Sequence, residues 1–233
     1  MSKSKIVVIE SGTDASGKET QTNLLCKRLN DEGKKVIKFS FPNYSSESST
    51  FVKMYLNGEF GENPDDINPY LSSIFFGMDR YATYMKEIKN YIDQDYIIII
   101  DRYTTSNMTY QASKIKGITE REKFLDWLYD FEFNLLGLPK PEVIIFLDVP
   151  VETSEDLMKI RERENDNLSK NDLKKDIHEQ DIDYLKKTYY LAKYISSKYK
   201  WDEIKCIVDG KFRTKEDISN EIYNVVKSKL DLR

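Results

Sequence analysis

Two apolar runs, IIII at 97–100 and VIIFL at 143–147, do not alternate with polar residues. That continuity limits the fold more than any other feature. A strand with one wet face reads apolar, polar, apolar; an unbroken apolar strand is covered on both faces, as in a parallel sheet between layers of helix. Three more strand-length runs rich in Ile and Val, Lys5 to Glu10, Lys35 to Phe41 and Glu203 to Val208, bring the number to five. Helical patterns lie between them. Leu71, Phe75, Met78, Ala82, Met85 and Ile92 recur at three- and four-residue steps, and Leu24, Leu25 and Leu29 do so after the first strand. Strands that alternate with helices predict an α/β fold. The stretch Arg161 to Asp181 carries almost no large apolar side chain, so a mobile surface segment is expected there.

Composition narrows the class. At 233 residues, with 39% hydrophobic and 33% charged side chains, one domain is the simplest expectation. No apolar run approaches the ~20 residues of a membrane span. The start, MSKSKIVVIE, enters a strand pattern without the apolar segment of a secretory signal, which predicts a cytoplasmic protein and no membrane partner. Cys26 and Cys206 sit among apolar neighbours and are expected to be buried thiols rather than a disulfide. A net charge of −4 offers no general attraction to nucleic acid, so any phosphate must be held locally.

The residues for that task follow the first strand. Gly12, Thr13, Asp14, Ala15, Ser16, Gly17 and Lys18 fit the spacing of glycine, four residues, glycine, lysine. The glycines let backbone N–H groups turn inward on phosphate oxygens, the helix that follows adds its positive end, and Lys18 adds a full charge. Glu19 stands where a serine or threonine ordinarily offers a hydroxyl to magnesium, and Thr20 is a candidate substitute. Asp101 and Arg102 close the third strand run, at the carboxyl end of the sheet where open α/β proteins bind ligands. Asp101 could hold magnesium or its water, and Arg102 could grip a phosphate with its planar fork.

Gly12 to Lys18, Phe41-Pro42, FFGMDRY with Asp79-Arg80, and DRYTTSNMTYQ from Asp101 to Gln111 occur in the order found in thymidylate kinases, which this chain resembles from about residue 5 to 225. The resemblance implies a five-stranded parallel sheet and transfer of the ATP γ-phosphate to thymidine monophosphate (dTMP) with Mg2+. By position, Phe76 and Arg80 match the residues that stack on thymine and bond its carbonyl. Asp14 matches a carboxylate near the acceptor, Phe41 a pocket wall, and Ser106, Tyr110 and Gln111 the lining of the base pocket. A lid over about 155–181 would bring Arg161 or Arg163 to the moving phosphoryl group, because Ala15 leaves the loop without an arginine. A homodimer packed through helices is also implied. Tyr44 stands where many relatives place an arginine on the acceptor phosphate, and His178 in an aromatic position near the sugar.

Other readings share these residues. The same loop serves kinases of other deoxynucleoside monophosphates or of deoxynucleosides, and nucleotide-binding homologues without turnover. A regulatory NTPase would share the loop and sheet but would have no use for Phe76, Arg80 and Gln111 converging on a second base.

Overall fold

A computed structural model describes residues 5–13, 16–151, 153, 177–178 and 181–232. Its main sheet has five parallel strands, β1 (Lys5–Ser11), β2 (Val36–Ser40), β3 (Ile97–Asp101), β4 (Val143–Asp148) and β5 (Asp202–Lys205). They are ordered β2-β3-β1-β4-β5. Val7 sits between Ile99 and Val143, and Ile9 between Asp101 and Ile145, so the central strand is paired on both edges.

The unbroken apolar runs are explained by the two faces. Val7, Ile9, Ile97, Ile99, Val143, Ile145 and Leu147 pack on one face against Leu25 and Leu29 of helix α1 (Lys18–Asp31). On that face they also meet Ile218, Ile222 and Val226 of the C-terminal helix (Lys215–Lys229). Their neighbours Ile6, Val8, Ile98, Ile100 and Phe146 point the other way, into clusters with Ile88, Tyr103, Phe124 and Ile195. Each such fully buried side chain contributes about 1.5–3 kcal/mol relative to exposure.

The connection after β1 therefore runs on one face and the connection after β3 on the other. Adjacent strands whose connections part in this way open a crevice at their carboxyl ends. Ser11 and Asp101 end the two strands that flank it.

One sequence expectation holds with its faces unlike a simple apolar stripe, and three need correction. The stripe Leu71, Phe75, Met78, Ala82, Met85 and Ile92 does lie on helical backbone: α2 (Pro69–Thr83), a wider π-helical turn (Tyr84–Ile88) and a last short turn. Yet Leu71, Met78 and Met85 are exposed, and the buried face of α2 is Ser72, Ser73, Gly77, Asp79, Arg80 and Thr83. The polar side faces inward because it meets other polar groups there. The fifth run divides: β5 ends at Lys205, and Ile207–Val208 pairs antiparallel with Lys211–Phe212. Cys206 is buried but Cys26 only partly so, although burial pushes both thiols up, to about 12 and about 11. Most of 161–181 lies outside the described residues, but Ile177 and His178 within it are buried. Ile177 packs with Val52, Tyr55 and Leu56, so this end of the segment is anchored.

Candidate active site

Two glycines shape the phosphate loop, one by its backbone and one by leaving room for a helix. Gly17 precedes α1 at φ +81°, a left-handed conformation that costs glycine little. A Cβ on Gly12 would lie 2.9 Å from the Tyr189 Cα, because the helix Ile182–Lys198 presses on the loop. The Lys18 side chain is buried, and its Nζ donates to Ser11 Oγ at 2.6 Å, Thr13 O at 3.0 Å and Ser16 Oγ at 3.3 Å. The ammonium is thus held at the mouth of the loop by oxygens that a phosphate can replace. Asp14 and Ala15 lie outside the described residues. Glu19 and Thr20 are exposed on the first turn of α1.

Asp101 faces this loop. Its Oδ1 is buried and has no hydrogen-bond partner among the described residues. Burial raises the carboxyl above its ordinary value, opposed by the charges of Lys18 and Arg102 and reinforced by Glu10 and Glu19. An unpartnered carboxylate oxygen beside a phosphate loop fits a hard divalent cation, and Mg2+ usually takes one or two such carboxylates together with substrate phosphates. Glu19 adds charge nearby. Arg102 takes the left-handed conformation at φ +64°, uncommon outside glycine, and its guanidinium lies 5.4 Å from the Tyr110 ring centroid. Glu10, fully buried, accepts from the Ser11 N–H and from the hydroxyls of Thr105 and Ser106. The Ser106 hydroxyl is therefore committed to Glu10.

A second group of side chains comes from α2. Ser72, Phe76 and Arg80 lie four residues apart on one helical stripe, turned toward the segment 104–111. Ser72 Oγ donates to Gln111 Oε1 at 2.7 Å. Phe76 is half-buried and meets Tyr55 edge to face. Arg80 is 2% exposed, and its Nε and Nη2 donate to the two Glu132 oxygens at 2.7 and 2.5 Å. Phe41 is buried against Tyr103 in the sheet core, and Tyr44 is largely exposed. His178 stacks on Tyr110 and shares a hydrogen bond with the Tyr55 hydroxyl at 2.8 Å. A cleft of about 540 Å³ opens beside the loop on the side of α1, lined by Ser16, Gly17, Thr20, Gln21, Arg213 and Lys215 among others.

Lys18, Asp101 and Arg102 are thus gathered at the strand ends, and contacts run on from Arg102 through Tyr110 and His178 to Tyr55 and Phe76. Arg161 and Arg163 lie outside the described residues. Sequence reasoning missed Glu10, Asn107, Lys114 and Glu132. Glu132 had a signal: a lone carboxylate between Phe131 and Phe133. Lys114 had none.

The sequence model of the thymidylate kinase family matches residues 9–222. The thymidylate kinase of Plasmodium falciparum is 27% identical over 224 residues, 96% of this chain and 90% of that protein. That of Mycobacterium tuberculosis is 30% identical over 148 residues, 63% of this chain and 67% of that protein. The solved structure of Candida albicans thymidylate kinase superposes with a TM-score of 0.69 at 19% identity, covering 98% of this chain and 93% of that one, a likeness of fold. With a glycine- and lysine-bearing loop between β1 and α1, the charged end of β3 beside it, and a family match that spans nearly its whole length, the chain belongs to the thymidylate kinase family.

Proposed function

We propose that this chain, acting as one domain in the cytoplasm, phosphorylates dTMP to the diphosphate at the expense of ATP, with roles divided as follows. Lys18 exchanges Ser11, Thr13 and Ser16 for the β- and γ-phosphates of ATP, which the N–H groups at the start of α1 also hold. The donor base fits the cleft beside Gln21 and Lys215. Arg102 grips the acceptor phosphate in the place where Tyr44 supplies no charge. Phe76 offers its face to the thymine ring, and Arg80 a donor to its carbonyl. Asp101, with Glu19 nearby, holds Mg2+, which supplies charge neutralisation for the transferred group when bound. Asp14 near the acceptor, and Arg161 or Arg163 closing over the phosphoryl group, complete the proposal.

The reading is supported by one arrangement: the segment after β3 that carries Arg102 bonds Glu10 at the end of β1 through Thr105 and Ser106, and meets the α2 stripe through Gln111 and Ser72. A switch protein needs only the loop. Among the described residues no helix is long and apolar enough to cross a membrane.

The test is a coupled ADP-release assay with ATP and Mg2+, offering the monophosphates of thymidine, deoxyuridine, deoxycytidine, deoxyadenosine and deoxyguanosine, and thymidine itself. Preference for dTMP is expected. Preference for another acceptor would keep the kinase and reassign its pocket, a live comparison because the Candida albicans enzyme is described as having broad substrate specificity. Nucleotide binding without release of ADP for any acceptor would overturn the proposal.

A further inference from the structure

Glu132 is fully buried, on a π-helical turn (Asp130–Leu135), and every neighbour of its carboxylate is a donor. Oε2 accepts from Arg80 Nε and from Thr104 Oγ1, each at 2.7 Å. Oε1 accepts from Arg80 Nη2 at 2.5 Å and from Asn107 Nδ2 at 3.0 Å. Four donors on two oxygens fill a carboxylate's capacity, and no neutral side chain of this size can replace it. Arg80 Nη1, in contrast, makes no hydrogen bond to the described residues and is not among the buried atoms left unpaired. The fork is gripped on one edge and open at Nη1.

We infer that Glu132 is a positioning residue for acceptor choice: it fixes the Arg80 fork and cancels its charge, so that the open Nη1 addresses a neutral carbonyl-bearing base rather than a phosphate. The inference rests on the reading that Arg80 faces the acceptor base. An uncompensated guanidinium would draw the acceptor's phosphate as readily as its base, whereas a neutralised, bidentately held one keeps direction but not reach. Gly77 lets the two partners meet, because a Cβ there would lie 2.7 Å from Phe131 Cε1, on the residue before Glu132. Thr104 and Asn107 tie the same carboxylate to the strand-end segment that carries Arg102.

Glu132→Gln is diagnostic, since its amide must set an NH2 against donors. Steady-state kinetics should show a roughly tenfold to hundredfold rise in the KM for dTMP, the scale of one charge-assisted hydrogen bond. The KM for ATP should stay within about twofold, and the preference for dTMP over dCMP should shrink. Should the variant melt below assay temperature, Glu132→Asp keeps the charge and shortens the reach, and a smaller rise confined to dTMP is expected. Equal changes in both KM values, or an unaltered dTMP-to-dCMP ratio in a folded variant, would overturn the inference. Arg80→Met separates the two readings. If it leaves the dTMP KM unchanged, the base-site reading fails; if it raises that KM while the Glu132 variants do not, only the role of Glu132 falls.

Discussion

The Lys114 ammonium donates to the Tyr55 hydroxyl at 2.8 Å and to Ile67 O and Ser72 Oγ at 3.3 Å each, all within the protein. Burial lowers its pKa from the ordinary 10.5 to about 7. Between those values the unfolded chain binds a proton that the folded chain does not, so stability must rise with pH across the window. Below about pH 7 both states are charged and this slope vanishes. Urea unfolding at pH 7.5 and 9 is expected to show wild type gaining up to about 1.4 kcal/mol per pH unit relative to Lys114→Met. Parallel slopes would mean that Lys114 keeps its proton when folded. Nothing in the sequence around Lys114, QASKIKG, separates it from an exposed lysine. Its partners come from elements 42 to 59 residues away, and only their approach buries it.

At the scale of elements, α2 meets the turn Asp130–Leu135 so closely that position 77 has no room for a side chain. Gly77→Ala would force Phe131 aside. Overpacking of this kind costs about 1–3 kcal/mol, which lowers the melting temperature by roughly 2–4 °C per kcal/mol in a chain of this size. Because Glu132 moves with Phe131, the KM for dTMP is expected to rise with it. A thermal melt and dTMP kinetics on one preparation check both, and a loss of melting temperature with unchanged kinetics would uncouple the contact from the pocket. This contact was not legible in the sequence. The helix was, from its three- and four-residue periodicity, but of the stripe that revealed it Phe75, Ala82 and Ile92 are half-buried while Leu71, Met78 and Met85 stay exposed. An apolar period marks an amphipathic helix without saying what covers its apolar face.

For the whole molecule that uncovered face becomes a prediction. Leu71, Met78 and Met85, 46%, 46% and 45% exposed, recur at seven-residue intervals along α2 and the turn that follows it. Solvent contact with such a stripe is unfavourable unless a partner covers it, and we propose that a second copy of the chain does so through the same face. Sedimentation of wild type is expected to give a dimer. Leu71→Glu with Met78→Glu should shift it to monomer while α2 keeps its inner polar contacts. A monomeric wild type would exclude this interface.

What the sequence determined by itself is local. Continuous apolar runs demand strands covered on both faces, as IIII and VIIFL are. The glycine and lysine spacing demands a loop that curls N–H groups around an anion, and the structure places that loop between β1 and α1. Such features are legible because periodicity and backbone freedom are properties of neighbours in the chain. Only tertiary structure decided that Arg80 is half-spent on Glu132, that Ser106 serves Glu10, and that Asp101 keeps an oxygen without a partner among the described residues. Each depends on which distant donor or acceptor arrives within about 3 Å, and that is set by how the layers pack.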